Sequence, residues 1–206
     1  MTSGSVHSNT ALAALAQGQL TTAITNLGLL GVGTTLGVNL AGLTLSPGVY
    51  TVPAGVSNLT ATLPLTLDGQ GNANAFWLFQ MESSLITSPG SVVNVINTGA
   101  GAGVFWDVRS SARLDTTTSF QGNILALTDI NLLTGATIGC GRALANTGQV
   151  TMDHNTIGAI CESGTGAGSN GFAGNSLQFV LDTVTPTNST VVDTTNRAYP
   201  VSSQTH

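Results

Sequence analysis

Charge is what this sequence has least of. Only 6% of its 206 residues are Asp, Glu, Lys or Arg, and lysine is absent altogether; about a quarter is usual. Four basic side chains cannot neutralise a run of phosphates, which argues against nucleic acid as a partner. The net charge of -5 comes from scattered carboxylates rather than an acidic tract. A hydrophobic content of 41% argues against disorder of the high-charge type. Long apolar runs are missing, so no stretch reads as a membrane span. Histidine is scarce: His7 and His206 lie near the termini, leaving His154 alone. That is too few for a zinc site, and no nucleophile-elbow motif accompanies it. Met1 to Ser5 has neither the basic start nor the apolar core of a secretory leader.

Gly, Ala, Ser, Thr, Asn and Leu make up most of the chain. Such a surface is solvated through hydroxyls, amides and backbone, which suits an uncharged partner. The order in this composition is a near-repeat. Rows begin at Gly48-Val49-Tyr50-Thr51-Val52, Phe76-Trp77-Leu78-Phe79-Gln80-Met81, Val104-Phe105-Trp106-Asp107-Val108, Asn123-Ile124-Leu125-Ala126-Leu127 and Arg142-Ala143-Leu144-Ala145-Asn146. The later rows are about 20 residues apart, the period of a β-solenoid coil. Each coil divides into three short strands. The fourth reads Ile124 to Leu127, Ile130 to Leu132 and Ala136 to Ile138, with turns at Thr128-Asp129 and Thr134-Gly135. Three sides per coil give a mainly β, triangular solenoid (a β-helix).

The expected organisation is an N-terminal lead (1–8), a flanking helix (9–30), solenoid coils (40–162), and a Gly-rich linker with a loosely ordered C-terminal tail (163–206) containing one further strand at Leu177 to Leu181. The helix is capped by Ser8-Asn9-Thr10 and runs from Ala11 to about Leu27. Leu12, Leu15, Ala16, Leu20, Ala23, Ile24 and Leu27 form one apolar stripe at helical spacing. The first strands of the coils are apolar on both faces, so both faces are expected to be covered; the amphipathic helix is the available cover. The second strands alternate. Ala112, Leu114, Ile130, Leu132, Val150 and Met152 point inward, while Arg113, Asn131 and Thr151 point out towards water.

Stacked turns predict columns of hydroxyls. Ser88, Thr116 and Thr134 form one, and Ser91, Ser119, Thr137 and Thr156 a second; Thr118, Asn131 and Thr151 lie beside them. Coils repeat at about 4.8 Å, as strands do in any sheet, close to repeat distances in ice. A threonine presents a methyl that orders water and a hydroxyl that anchors it. Ser and Thr also suit turns and strands without any partner, so the columns alone leave both explanations open. Asp107, Arg109, Arg113 and Asp115 lie close in sequence but lack the converging carboxylates of a lyase, and read as corner ion pairs. Cys140 and Cys161 are about one coil apart, consistent with a disulfide between neighbouring coils or with two buried thiols.

Several stretches resemble the ice-binding (antifreeze) proteins of cold-adapted fungi, algae and bacteria. They are Leu43 to Tyr50, Phe76 to Met81, Phe120 to Ala126, Gly141 to Ala145 and Thr147 to Ile157, together with the helix and His7 before it. The resemblance implies a discontinuous right-handed β-solenoid with one α-helix packed alongside, no enzymatic activity and no cofactor. It implies adsorption to an ice crystal surface through one flat side, thermal hysteresis, inhibition of ice recrystallisation, and an extracellular location. That side often carries a Thr-Ala/Gly-x-Thr/Asn pattern, which Thr134-Gly135-Ala136-Thr137 alone matches fully here. Members normally carry a sizeable segment before the helix. In this chain one solenoid end is therefore expected to be bare, covered by the tail after Glu162 or by self-association. The competing expectation is a structural or adhesive solenoid of the cell surface that binds glycan or matrix.

Overall fold

The computed structural model describes residues 7–53, 57–59, 63–99, 101–158, 177–181, 189–193 and 197–198. An α-helix occupies Ala11–Gly28. The Thr10 hydroxyl accepts from the Ala13 N–H, which satisfies one of the amides left free at a helix start. Only the second half of the apolar stripe is sequestered. Leu20, Ala23, Ile24 and Leu27 are buried, whereas Leu12 and Leu15 are exposed.

From residue 27 onward parallel strands stack in chain order on three sides. The first side is one sheet of Thr34–Thr35, Gly48–Val52, Phe76–Met81, Gly103–Val108, Asn123–Ala126 and Ala143–Ala145. The ladder thus begins at Thr34–Thr35, which pairs with Tyr50 and Thr51, ahead of the expected start at Leu40. The second side stacks Ser57–Leu59, Leu85–Thr87, Ala112–Leu114, Ile130–Leu132 and Val150–Met152. The third side is two short sheets. Thr44–Leu45, Leu65–Asp68 and Val93–Ile96 form one, and Ser119–Phe120, Thr137–Ile138 and Thr156–Ile157 the other. A parallel bridge between Val92 and Ser119 joins them. Every pairing among these strands is parallel because each coil returns in the same direction.

Leu, Val, Ile and aromatic side chains from all three sides fill the prism. An aromatic ladder runs along its axis. Tyr50 stacks on Phe79 at 5.6 Å, Phe79 on Trp106 at 4.1 Å, and Trp106 meets Phe120 at 5.0 Å. Parallel register places one ring over the next, within the 4.5–7 Å typical of favourable ring pairs or slightly closer. The first side is buried on its other face as well: Leu78, Phe105 and Leu125 alternate with core residues yet have almost no exposure. Where the helix ends, Gln80 Nε2 donates to the Leu27 carbonyl at 3.1 Å.

At the last described coil, Val150 and Met152 pair with Ile130 and Leu132 and so sit on the inward row. They are nevertheless 37% and 54% exposed, because among the described residues no coil stacks above them. Separately, Leu177–Leu181 pairs antiparallel with Ser189–Asp193, which pairs with Arg197–Ala198. The strand expected at Leu177 to Leu181 is present, and two more follow it in what sequence reads as a loose tail. The Gly-rich linker expected from Gly164 to Gly174 lies outside the described residues.

Candidate functional site

The sequence-predicted hydroxyls converge on the turn between the second and third sides. This turn has a repeating backbone. Gly90, Thr117, Gly135 and His154 take positive φ values of 72°, 56°, 71° and 53°, one in each successive coil. Inter-coil bonds lock the series: Gly90 N–H to Thr116 carbonyl, Thr117 N–H to Thr134 carbonyl, and Gly135 N–H to Asp153 carbonyl. Glycine takes this conformation freely. A β-branched residue does not, so Thr117 is held there by its neighbours, including the bond from its own hydroxyl to the Thr116 carbonyl.

Ladder register assigns each predicted residue to its place. Ser119, Thr137 and Thr156 pair directly and form an exposed to half-exposed column on the third side. Below them the column continues through Val92, not Ser91. Ser91 and Thr118 face inward and leave the predicted surface array: Ser91 is fully buried and Thr118 is 1% exposed. Ser91 Oγ donates to the carbonyls of Leu59 and Ser88. Thr118 Oγ1 lies 2.8 Å from Thr87 Oγ1, and Thr87 Oγ1 also accepts from the Asp115 N–H. These hydroxyls brace the turn from within. Thr116 and Thr134 occupy equivalent turn positions, as expected. Counting from the Ile86–Arg113 pair puts Pro89, not Ser88, in line with Thr116. Ser88 instead offers its carbonyl inside the turn.

On the second side the outward column is Ile86, Arg113, Asn131 and Thr151. Thr151 Oγ1 donates to Asn131 Oδ1 at 2.7 Å, while Arg113 pairs with Asp115 at 3.1 Å. The ladder of hydroxyls and amides therefore holds in the later coils and is broken by a guanidinium below. Thr134 donates to Asp153, whose carboxyl is held below its usual range by that bond and then by His154. Sequence reasoning missed Thr44, Thr66 and Asn94, an outward column on the third side. Its signal was the plain alternation of Leu43-Thr44-Leu45, Leu65-Thr66-Leu67 and Val93-Asn94-Val95.

The remaining ion pair belongs to the first side. Asp107 is fully buried on the sheet face opposite the core, between Gln80 and Leu125 in register. Arg109 Nη2 approaches its Oδ2 to 2.9 Å, but neither carboxylate oxygen receives an aligned hydrogen bond. Burial raises the Asp107 carboxyl to about 6, against the partial pull of Arg109. The folded pKa lies above the unfolded value of 3.8. This group's contribution is therefore fully favourable below about pH 4 and is lost as pH rises through 6. Two pKa units correspond to about 3 kcal/mol. The melting temperature should rise between pH 7 and pH 5, and Asp107→Asn should raise it at pH 7 and flatten that dependence. Thermal melts read by circular dichroism across this range test the expectation; a wild-type optimum at neutral pH would contradict it.

Cys140 is disulfide-bonded. Cys161, the chain's only other cysteine, lies outside the described residues.

Stacked parallel coils with a sparsely charged ladder of Thr, Ser and Asn on two outer sides define a β-solenoid of the surface-displaying kind. The chain belongs to the Ice-binding-like family, whose model matches residues 1–158. It is 49% identical over 125 residues to an ice-binding protein of Nostoc sp. (strain HG1), covering 61% of this chain and 45% of that protein. It is 36% identical over 121 residues to ice-binding protein 1 of Shewanella frigidimarina, covering 58% of this chain and 13% of that one. The chain thus spans less than half the length of these relatives, which are named for ice binding and not for catalysis. Among solved structures, an ice-binding protein from an Antarctic biological consortium superposes with a TM-score of 0.66 at 38% identity, covering 72% of this chain and 67% of that chain. One from the ascomycete Antarctomyces psychrotrophicus gives 0.61 at 32% identity, covering 71% and 70%.

Proposed function

We propose that this chain is a non-enzymatic ice-binding protein acting outside the cell, and that it adsorbs to ice through the outward residues of its second side and the exposed ladder at the adjoining turn into the third side. The residues assigned to that contact are Thr116, Ser119, Asn131, Thr134, Thr137, Thr151 and Thr156. The observation that carries the assignment is the register of Ser119, Thr137 and Thr156 in consecutive coils. Register converts a sequence repeat into a spatial lattice of about 4.8 Å.

The chemistry follows from how these hydroxyls are used. Thr134 and Thr151 spend their protons within the ladder, on Asp153 and Asn131. Their oxygens still accept from water, and the array is held in place before ice arrives. Fixed hydroxyls and methyls order water at modest entropic cost, so the ordered layer merges with the crystal. No cofactor enters this process. Thermal hysteresis and recrystallisation inhibition follow from adsorption that pins the growth front.

Slow directional freezing of a dilute solution tests the proposal. An ice-adsorbing protein is engulfed by the advancing solid, whereas an ordinary solute is pushed into the liquid. Exclusion from ice combined with retention on a polysaccharide column would replace this reading with the adhesive one. We also assign Cys161 as the partner of Cys140. A thiol titration of denatured, unreduced protein should read zero, and two reactive groups would refute the pairing.

A further inference from the structure

One buried hydroxyl stands where the rest of its column carries leucine. On the second side an inward column reads Leu59, Thr87, Leu114 and Leu132 in consecutive coils, and all four are at most 2% exposed. An aliphatic side chain at position 87 would match its neighbours above and below. A hydroxyl in such a place is costly unless its hydrogen bonds are made, so what Thr87 Oγ1 touches explains the exception. It accepts from the Asp115 N–H at 2.8 Å and lies 2.8 Å from Thr118 Oγ1.

Asp115 and Thr118 are the first and last residues of one β-turn, closed by the bond from the Thr118 N–H to the Asp115 carbonyl. The third residue of that turn is Thr117, with a φ of 56°. Glycine is favoured at this place, and the equivalent turns of the coils on either side carry Gly90 and Gly135 there. A β-branched residue with positive φ is strained and persists only where its surroundings over-determine it. One side chain of the preceding coil thus grips both ends of the turn that bears the strain. The same device recurs at His154, where φ is 53°. There Asn155 Oδ1 accepts from the Asp153 N–H, and Asn155 Nδ2 donates to the Leu133 and Ala136 carbonyls. The Gly135 turn ends in Ala136, which has no polar group to offer.

We propose that Thr87 is a positioning residue for adsorption: its hydroxyl clips both ends of the Asp115–Thr118 turn and so holds Thr116 and Ser119 in line with Thr134 and Thr137. This rests on the ice-adsorption reading above and adds to it a residue that never meets ice. Without the clip, Thr117 relaxes towards negative φ and the tip of the turn shifts. Ser119 follows Thr118 directly, so its place in the Ser119–Thr137–Thr156 column shifts with it. The core keeps its shape when an aliphatic group of the same size fills the site, so the regular array is lost before the fold.

The test is Thr87→Val, which keeps the volume and removes the hydroxyl, compared with wild type at equal concentration. Amide exchange at Asp115 should quicken by roughly tenfold, as for loss of one hydrogen bond. Thermal hysteresis should fall severalfold while the circular dichroism spectrum is unchanged. Thr87→Ser should restore both. Adding Thr117→Gly to Thr87→Val should also recover the hysteresis, because glycine needs no clip; a side chain that only packs would not be rescued in this way. Wild-type exchange and hysteresis in Thr87→Val would overturn the proposal, and so would a double variant no more active than the single one. If Thr87→Val lowers the melting temperature markedly, Thr118→Val, which breaks the clip at its other end, decides the matter: full hysteresis there would refute it. Absence of hysteresis in the wild type would remove the ice reading instead, while exchange at Asp115 still tests the clip by itself.

Discussion

Thr137→Tyr is expected to remove most of the ice activity while leaving the circular dichroism spectrum unchanged. Thr137 stands between Ser119 and Thr156 in register, at the centre of the column, and is half-exposed. Its hydroxyl contributes little to stability, since its bond to the Thr118 carbonyl is long at 3.4 Å. A phenol at this point projects well beyond a threonine methyl. It lifts the neighbouring coils off a flat crystal, so the substitution costs far more contacts than the one it replaces. Thr134→Tyr tests the adjacent turn column in the same way, with the added loss of the bond to Asp153. Full activity in both variants would remove this edge of the solenoid from consideration.

The largest expected effect on stability comes from Trp106→Ala. The indole is fully buried. It stacks on Phe79 in the coil below and meets Phe120 on the third side, and its Nε1 donates to the Gln121 carbonyl at 3.0 Å. Truncation opens a cavity along the axis, where the rigid backbone of the coils on either side limits collapse. The expected cost is about 3–5 kcal/mol, a large share of the roughly 5–15 kcal/mol that stabilises a typical domain. A urea titration followed by circular dichroism should show a large drop in midpoint. Trp106→Phe keeps the ring stack and loses the hydrogen bond, so its penalty should be smaller. An unchanged midpoint in Trp106→Ala would mean that the aromatic ladder is not what aligns the coils. Ice activity should fall together with the fold in this variant, in contrast to Thr137→Tyr.

The parts of the fold legible in sequence were those where burial is encoded by period. Phe76 to Met81 and Val104 to Val108 are apolar at odd and even positions alike, and the sheet they build is buried on both faces. Ala112-Arg113-Leu114 and Ile130-Asn131-Leu132 alternate, and their burial alternates with them. The phase of the turns was not legible. Ser91 and Val92 are adjacent, both are compatible with a turn, and only the bridge to Ser119 shows which of them faces out. A hydroxyl serves equally as a buried brace, as in Ser91 and Thr118, and as an exposed contact, as in Ser119; residue type carries no information about which. The Thr44–Thr66–Asn94 column is written in simple alternation, but the stronger repeat of the aromatic first strands sets a different frame and hides it. Val150 and Met152 share the register of the inward row at Ile130 and Leu132 but are exposed. Their exposure depends on what stacks above them, which no strand pattern records.

Observation of a single ice crystal in purified protein, cooled slowly below its melting point under a microscope, tests the central claim most directly. Adsorption through a rigid lattice predicts a faceted crystal that stays at constant size over a finite interval of undercooling. A smooth disc that grows as soon as the temperature falls below the melting point would contradict it.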